Sequence, residues 1–182
     1  MYEFIPQKNI KTAQKIIILL FAGAAVLMLV TMTWEGIPYK WLFQLIALAL
    51  MTAAIFMTTR YVSKTFIYRV ESDGDGGSDL TVTECAAGGK RQVTVCRVSV
   101  YGIRECHLLD MSDGGGSERK LKEIRQRYGK IFDYTADLQP NKSILLVVDE
   151  CGQRLSIRLS YDDRLFDILK SCEKGSEDGD EE

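Results

Sequence analysis

One histidine, His107, is all the imidazole this sequence has, and no two of its five cysteines are spaced as C-x-x-C. That scarcity argues against a zinc site, which takes Cys or His donors in closely spaced pairs. It also leaves nucleophilic catalysis without a base. His107 sits beside Cys106, but neighbours on a strand point to opposite faces, and no Ser-His-acid set surrounds it. The odd cysteine count (Cys85, Cys96, Cys106, Cys151, Cys172) argues against a disulfide framework and fits reduced, mostly core cysteines in a cytoplasmic domain.

A phosphate loop is missing as well. "GGK" at 88–90 lacks the first glycine at the needed distance, and Lys90 is followed by Arg91 rather than Ser or Thr; it reads as a hairpin turn. Charge of one sign is scarce overall: the formal net charge is −2, which gives no general attraction to nucleic acid. The imbalance is local. Residues 173–182, "EKGSEDGDEE", hold six acids and one lysine. They read as a disordered, solubilising tail, with docking to a basic partner as the alternative.

Charge is absent altogether from two stretches. "IIILLFAGAAVLMLVTMTW" (16–34) and "WLFQLIALALMTAAIFMTT" (41–59) each run nineteen residues without an ionisable group. A helix needs about 20 apolar residues to cross the hydrocarbon core. Both qualify, and the connector "EGIPYK" (35–40) makes them a tight hairpin. The first run is too long for a signal peptide and no small-x-small cleavage site follows it. Trp34, Tyr39 and Trp41 cluster at the connector, as amphipathic aromatics do at a headgroup boundary.

Lys8, Lys11 and Lys15 precede the first run, and Arg60, Lys64 and Arg69 follow the second, against Lys40 alone in the connector. The bias predicts an inner-membrane protein with both termini cytoplasmic. Without buried ionisable groups the spans carry no proton or ion pathway, so the hairpin is an anchor. Ala49 and Ala53 form a small-xxx-small pair that could face Gly23.

From Val62 onward the apolar period changes to two. "VSKTFIYRVE", "DLTVTECA", "KRQVTVCRV" and "IRECHLL" read as four strands. "SERKLKEIRQRYGK" reads as a helix capped by Ser117 and ended by Gly129, with Leu121, Ile124 and Tyr128 on one face. "KIFDYTADL", "SILLVVDE" and "RLSIRLS" are three further strands. "SYDDRLFDILKSC" closes the domain with a helix striped by Leu165, Phe166, Ile168, Leu169 and Cys172, with Ser160 and Asp163 in a capping-box pattern.

The expected fold is therefore an α+β membrane protein. A cytoplasmic segment (1–15) leads into a transmembrane hairpin (16–34 and 41–59). A cytoplasmic domain (60–172) follows, and an acidic tail (173–182) ends the chain. Seven antiparallel strands in two packed sheets, an inserted helix and a carboxy-terminal helix that plugs the open end make a pleckstrin-homology-like sandwich or barrel. At this point the chain resembles the bacterial membrane-anchored pleckstrin-homology-like proteins of the YcxB-like group. The resemblance rests on the hairpin running into "RYVSKTFIYRVE", on "GKRQVTVCRVSVYGI", and on the stretch from "KIFDYTADL" to "YDDRLFDILK". It implies a non-enzymatic module held at the membrane. Eukaryotic relatives of that fold often bind phosphoinositides through a basic loop between the first two strands; here the loop is "SDGDGGSD", which is acidic.

That loop has a second reading. Asp73, Asp75 and Asp79 alternate, with Glu84 following, in the rhythm of a calcium loop. Strands flank it where helices should be, Ser78 stands where glycine is needed and Gly77 replaces an acidic ligand. It reads as a solvated hairpin loop, with a calcium-responsive sensor over 73–84 as a weaker alternative.

The remaining candidate surface is the basic helix 117–130. Arg119, Lys120, Lys122, Arg125, Arg127 and Lys130 stand against two acids. The sequence thus predicts a membrane-anchored scaffold or regulatory module that recruits a protein partner without catalysis or cofactor. Its alternative is a reader of anionic lipid headgroups through those six residues. An ordinary solvated helix face is the competing reading.

Overall fold

Two helices and two sheets dominate this computed structural model, which describes residues 1–34, 36, 39–72, 77–86, 91–112, 115–150 and 152–173. The acidic residues Asp73 and Asp75, the 88–90 turn, Cys151 and the tail beyond Glu173 lie outside the described residues. The chain divides into two units: Asn9–Lys64, and Met1–Lys8 together with Thr65–Glu182.

The first unit is a helical pair. α1 (Ile10–Thr33) starts six residues before the apolar run, because Lys11, Gln14 and Lys15 are good helix formers that extend it. α2 (Lys40–Met57) continues into a π-helical turn (Thr58–Val62). Both helices are long and apolar enough to cross a membrane, and only 17% and 11% of their apolar windows are buried. The core helix of a soluble domain would be mostly covered, whereas most of these apolar surfaces are not covered by the rest of the described chain.

The seam between the helices is made of Ile17, Ala24 and Thr31 from α1 with Ala47 and Ala54 from α2. Each set repeats every seven residues, the spacing of a knobs-into-holes contact, and the small side chains let the backbones approach. The Ala49–Ala53 pair is a correction: both are exposed, and Gly23 lies near Leu50 instead. Five threonines bond back to carbonyls three or four residues earlier, as Thr52 does to Leu48 at 2.9 Å and Thr58 to Ala54 at 2.8 Å. Their hydroxyls therefore need no water.

Among its described residues the second unit holds eight strands, not seven, in two four-stranded sheets that do not close into a barrel. The first sheet runs β1 (Tyr2–Phe4), β2 (Lys64–Ser72), β3 (Ser78–Ala86), β4 (Gln92–Ser99) in spatial order. The strand β1 was not expected: three residues are too few for a period to show. It pairs antiparallel with β2, Glu3 opposite Arg69. Hence the 1–15 segment is not a plain leader, and the helical pair is inserted between two paired strands.

The second sheet runs β5 (Ile103–Asp110), β7 (Lys142–Glu150), β8 (Gln153–Ser160), β6 (Ile131–Asp133). "IRECHLL", expected as the fourth strand of one run, belongs here. "KIFDYTADL" yields only β6, which runs parallel to β8. Asp133 ends it by accepting hydrogen bonds from the Thr135 N–H (2.9 Å) and hydroxyl (2.7 Å), a turn that competes with the ladder.

Phe66, Tyr68, Val70, Leu80, Val82 and Val98 from the first sheet meet Ile103, Cys106, Ile144, Leu146, Val148, Ile157 and Leu159 from the second. α4 (Asp163–Ser171) adds Leu165 and Leu169 to that core. Its cap is Asp162, whose carboxylate accepts from Leu165 N at 3.0 Å; Ser160 stays in β8. The β3–β4 register shifts between Val82 and Thr83, where Val95 of β4 is the extra residue of a bulge; beyond it Cys85 is buried and Glu84 half-buried.

The first strand is stapled into this unit by all three of its side chains. The Tyr2 hydroxyl donates to the Asp162 carboxylate, Glu3 pairs with Arg69 at 2.7 Å, and the Phe4 ring lies 6.0 Å from that of Tyr68. Burial and the bond to Asp162 push the Tyr2 hydroxyl up to about 12.

Candidate basic docking surface

α3 (Gly116–Tyr128) lies over the outward face of the second sheet. Gly115 starts it in the left-handed region at φ 99°, and Gly129 ends it at φ 81°. Ser117 is not the cap. It is inside the first turn, and its hydroxyl donates to the Asp110 carbonyl at 2.7 Å.

The helix buries Ile124 against Leu109, Leu145 and Val147, with Leu121, Tyr128 and Ile131 closing the contact. This explains the unbroken apolar run of β7. Ile144, Leu146 and Val148 face the other sheet while Leu145 and Val147 face α3, so the strand is covered on both sides.

The far end of α3 is fixed by hydrogen bonds. The Tyr128 hydroxyl donates to Glu105 at 2.7 Å, and the other Glu105 oxygen is 2.9 Å from His107 Nε2. Burial alone would raise Glu105, but the bonds from His107 and Tyr128 outweigh it and hold the carboxyl below its ordinary value. Burial, then the Glu105 bond, raises Tyr128. Sequence reasoning missed this tie. Its signal was the alternation of Glu105, His107 and Leu109 on one strand face. Cys106 points the other way, into the core, where burial lifts its thiol to about 12, out of the range of a nucleophile.

With Ser117, Leu121, Ile124 and Tyr128 turned to the sheet, the other directions of α3 point to solvent. All six basic residues singled out in the sequence are exposed: Arg119, Lys120, Lys122, Arg125 and Arg127 on the helix and Lys130 just beyond. Among the described residues none of the six makes an ion pair. Arg127 lies over the Tyr128 ring at 5.5 Å and Lys130 over Phe132 at 5.0 Å. The other basic residues of this unit that carry ion pairs show the contrast. Arg97 is paired with Asp79 at 2.7 Å, Arg104 with Asp149 at 3.5 Å, Lys142 with Asp110 at 3.9 Å, and Lys170 with Glu173 at 2.5 Å. Glu118, Leu121, Lys122 and Arg125 line a shallow groove of about 350 Å3 on one flank of the helix.

Like charges crowded on one helix repel, and Glu118, Glu123 and the nearby Glu105 offset them only in part. The arrangement can hold a polyanion: a field of several cations within one face, an apolar floor at Leu121, and no committed counter-ion.

Of the calcium rhythm, Asp73 and Asp75 lie outside the described residues, and only Asp79 and Glu84 can be placed. Asp79 is engaged by Arg97, and Glu84 lies five residues further along the same strand, about 17 Å away at the rise of a strand. Among the described residues no group of three or more His, Cys, Asp or Glu is placed to hold a metal. No family model, curated protein or solved structure matches this chain.

Proposed function

We propose that this protein is a non-enzymatic, membrane-anchored binding module whose working surface is the outward face of α3. The carrying observation is the set of six exposed basic residues without an ion pair, on a domain whose other arginines and lysines so often have one. The anchor is the apolar helical pair, whose surface is scarcely covered by protein. The lysine and arginine bias around the pair supports a bacterial inner-membrane location with both termini cytoplasmic. The pairing of β1 with β2 supports it too, because strands on either side of a two-span insertion must share one compartment to pair.

The kinship we propose is with the YcxB-like, pleckstrin-homology-like membrane proteins. Two sheets packed face to face with an amphipathic helix in their core support that reading. The additional edge strand β1 and the parallel pairing of β6 with β8 would be this chain's own departures.

The favoured ligand is the anionic surface of a bilayer. Each Lys or Arg near such a surface is worth about 1 kcal/mol, so four productive contacts give about 4 kcal/mol, enough to hold a tethered domain. A recruited acidic protein is the second reading, favoured by the apolar floor of the Leu121 groove, which phosphate groups do not need.

Acetylation footprinting of the full chain in lipid nanodiscs decides between them. With phosphatidylglycerol in the bilayer, Lys120, Lys122 and Lys130 should react several-fold more slowly than in pure phosphatidylcholine at about 50 mM salt, and equally at about 500 mM. Equal rates at both salts would remove lipid as the ligand and leave crosslinking in native membranes to identify a protein.

A further inference from the structure

We infer that the acidic tail 174–182 docks on the outward face of α3 as an intramolecular competitor for whatever anion that face binds. Three observations carry this. The first is the face itself, six cations without an ion pair. The second is composition: residues 174–182 hold five acids (Glu177, Asp178, Asp180, Glu181, Glu182) and one lysine.

The third is where the tail leaves the domain. Glu173, the last described residue, is pinned to the open edge of the second sheet. One of its carboxylate oxygens accepts from Cys106 N at 3.1 Å, and the other pairs with Lys170 at 2.5 Å. Cys106 is the immediate neighbour of Glu105, which holds the Tyr128 hydroxyl at the carboxy-terminal end of α3. The tail therefore starts beside the end of the helix that carries Arg125, Arg127 and, one step on, Lys130. Nine residues of extended chain reach about 30 Å. A helix of thirteen residues is about 20 Å long. The tail can cover the whole basic face without Glu173 moving.

Such a strap sets a threshold. A sparse anion meets an occupied face, while a dense anionic surface displaces the tail. Tethering gives the tail an effective concentration in the millimolar range, so weak individual contacts suffice, and salt loosens them. The proposal deepens the reading of α3 as the working surface. Its test uses neutral bilayers, so that its failure and the failure of that reading are distinguishable.

The full chain and a chain ended at Glu173 are compared in phosphatidylcholine nanodiscs by lysine acetylation at about 50 mM salt. Lys120, Lys122 and Lys130 should react roughly two- to tenfold more slowly in the full chain. A tail carrying Glu177→Gln, Asp178→Asn, Asp180→Asn, Glu181→Gln and Glu182→Gln should match the shortened chain. Equal rates in the full and shortened chains overturn the proposal. So does protection that survives neutralisation of the tail, because the contact would then not be one of charge. Protection that falls on dilution of the protein overturns the intramolecular form.

Discussion

The Tyr68 hydroxyl sits where the two sheets meet. The residue is fully buried on β2, its hydroxyl donates to the Tyr134 carbonyl at 2.7 Å and lies 3.2 Å from Ser160 N, which donates to it. Tyr68→Phe keeps the ring and strands both backbone groups. A loss of about 1–3 kcal/mol follows from leaving buried groups unpaired, read as a lower midpoint in urea with unchanged slope. Glu173 offers a second residue-scale test. Burial opposes its charge, but Lys170 and the Cys106 N–H hold its pKa below the ordinary 4.5. A depressed folded value adds stability above the unfolded value and forfeits it as pH falls through the folded one. Glu173→Gln should therefore be less stable than the parent near neutral pH and converge with it as pH falls through the depressed folded value, below 4.5. Parallel melting curves across that range, with a constant gap, would refute the assignment.

Among the elements, α3 has two faces with separate duties, and substitutions can tell them apart. Ile124→Ala empties a buried position against Leu145 and Val147, which should cost about 2–4 kcal/mol and release the helix to proteolysis. Arg125→Glu, at an exposed position, should leave the melting temperature within about 0.5 kcal/mol equivalent of the parent while weakening any anion effect. If Arg125→Glu unfolds the domain, the basic face is structural.

How far the elements could be read from sequence depended on length and phase. β2 shows three inward residues two apart, and β7 shows a run that only double-sided burial explains, so both were legible. The two apolar helices were legible because composition alone identifies them. β1 and β6 have three residues each and no period to read. In the β3–β4 pair a single bulge at Val95 breaks the alternation, which no pattern of two residues announces. Gly129 ends α3 as expected, but the two N-terminal caps were placed wrongly because Ser117 and Ser160 satisfy longer-range needs, Asp110 and Tyr68, that local patterns do not contain. The basic residues of the site were legible by type and spacing. Their lack of ion pairs was not, since pairing depends on which acids the fold brings near.

For the whole molecule, the decisive feature is that the first strand belongs to the domain that follows the helical pair. A fragment beginning at residue 62 would lack β1 and with it the Tyr2–Asp162, Glu3–Arg69 and Phe4–Tyr68 contacts. Deleting residues 1–4 from the full chain should lower its melting temperature and expose the β2 backbone at Tyr68–Val70 to hydrogen exchange. Unchanged exchange there would mean that the edge strand adds nothing.

The same pairing bears on how the protein is made. Phe4 leaves the ribosome about 60 residues ahead of Lys64, the first residue of its partner strand. At 5–20 residues per second that is a delay of roughly 3–12 s. During that interval both apolar helices must find their place while the waiting strand has no sheet to join. On the two-span topology proposed above, a chain with Tyr2–Phe4 and Lys64–Ser72 in different compartments could not complete its first sheet. The first sheet is therefore complete only when Tyr2–Phe4 has met Tyr68–Val70, after the whole helical pair has been made.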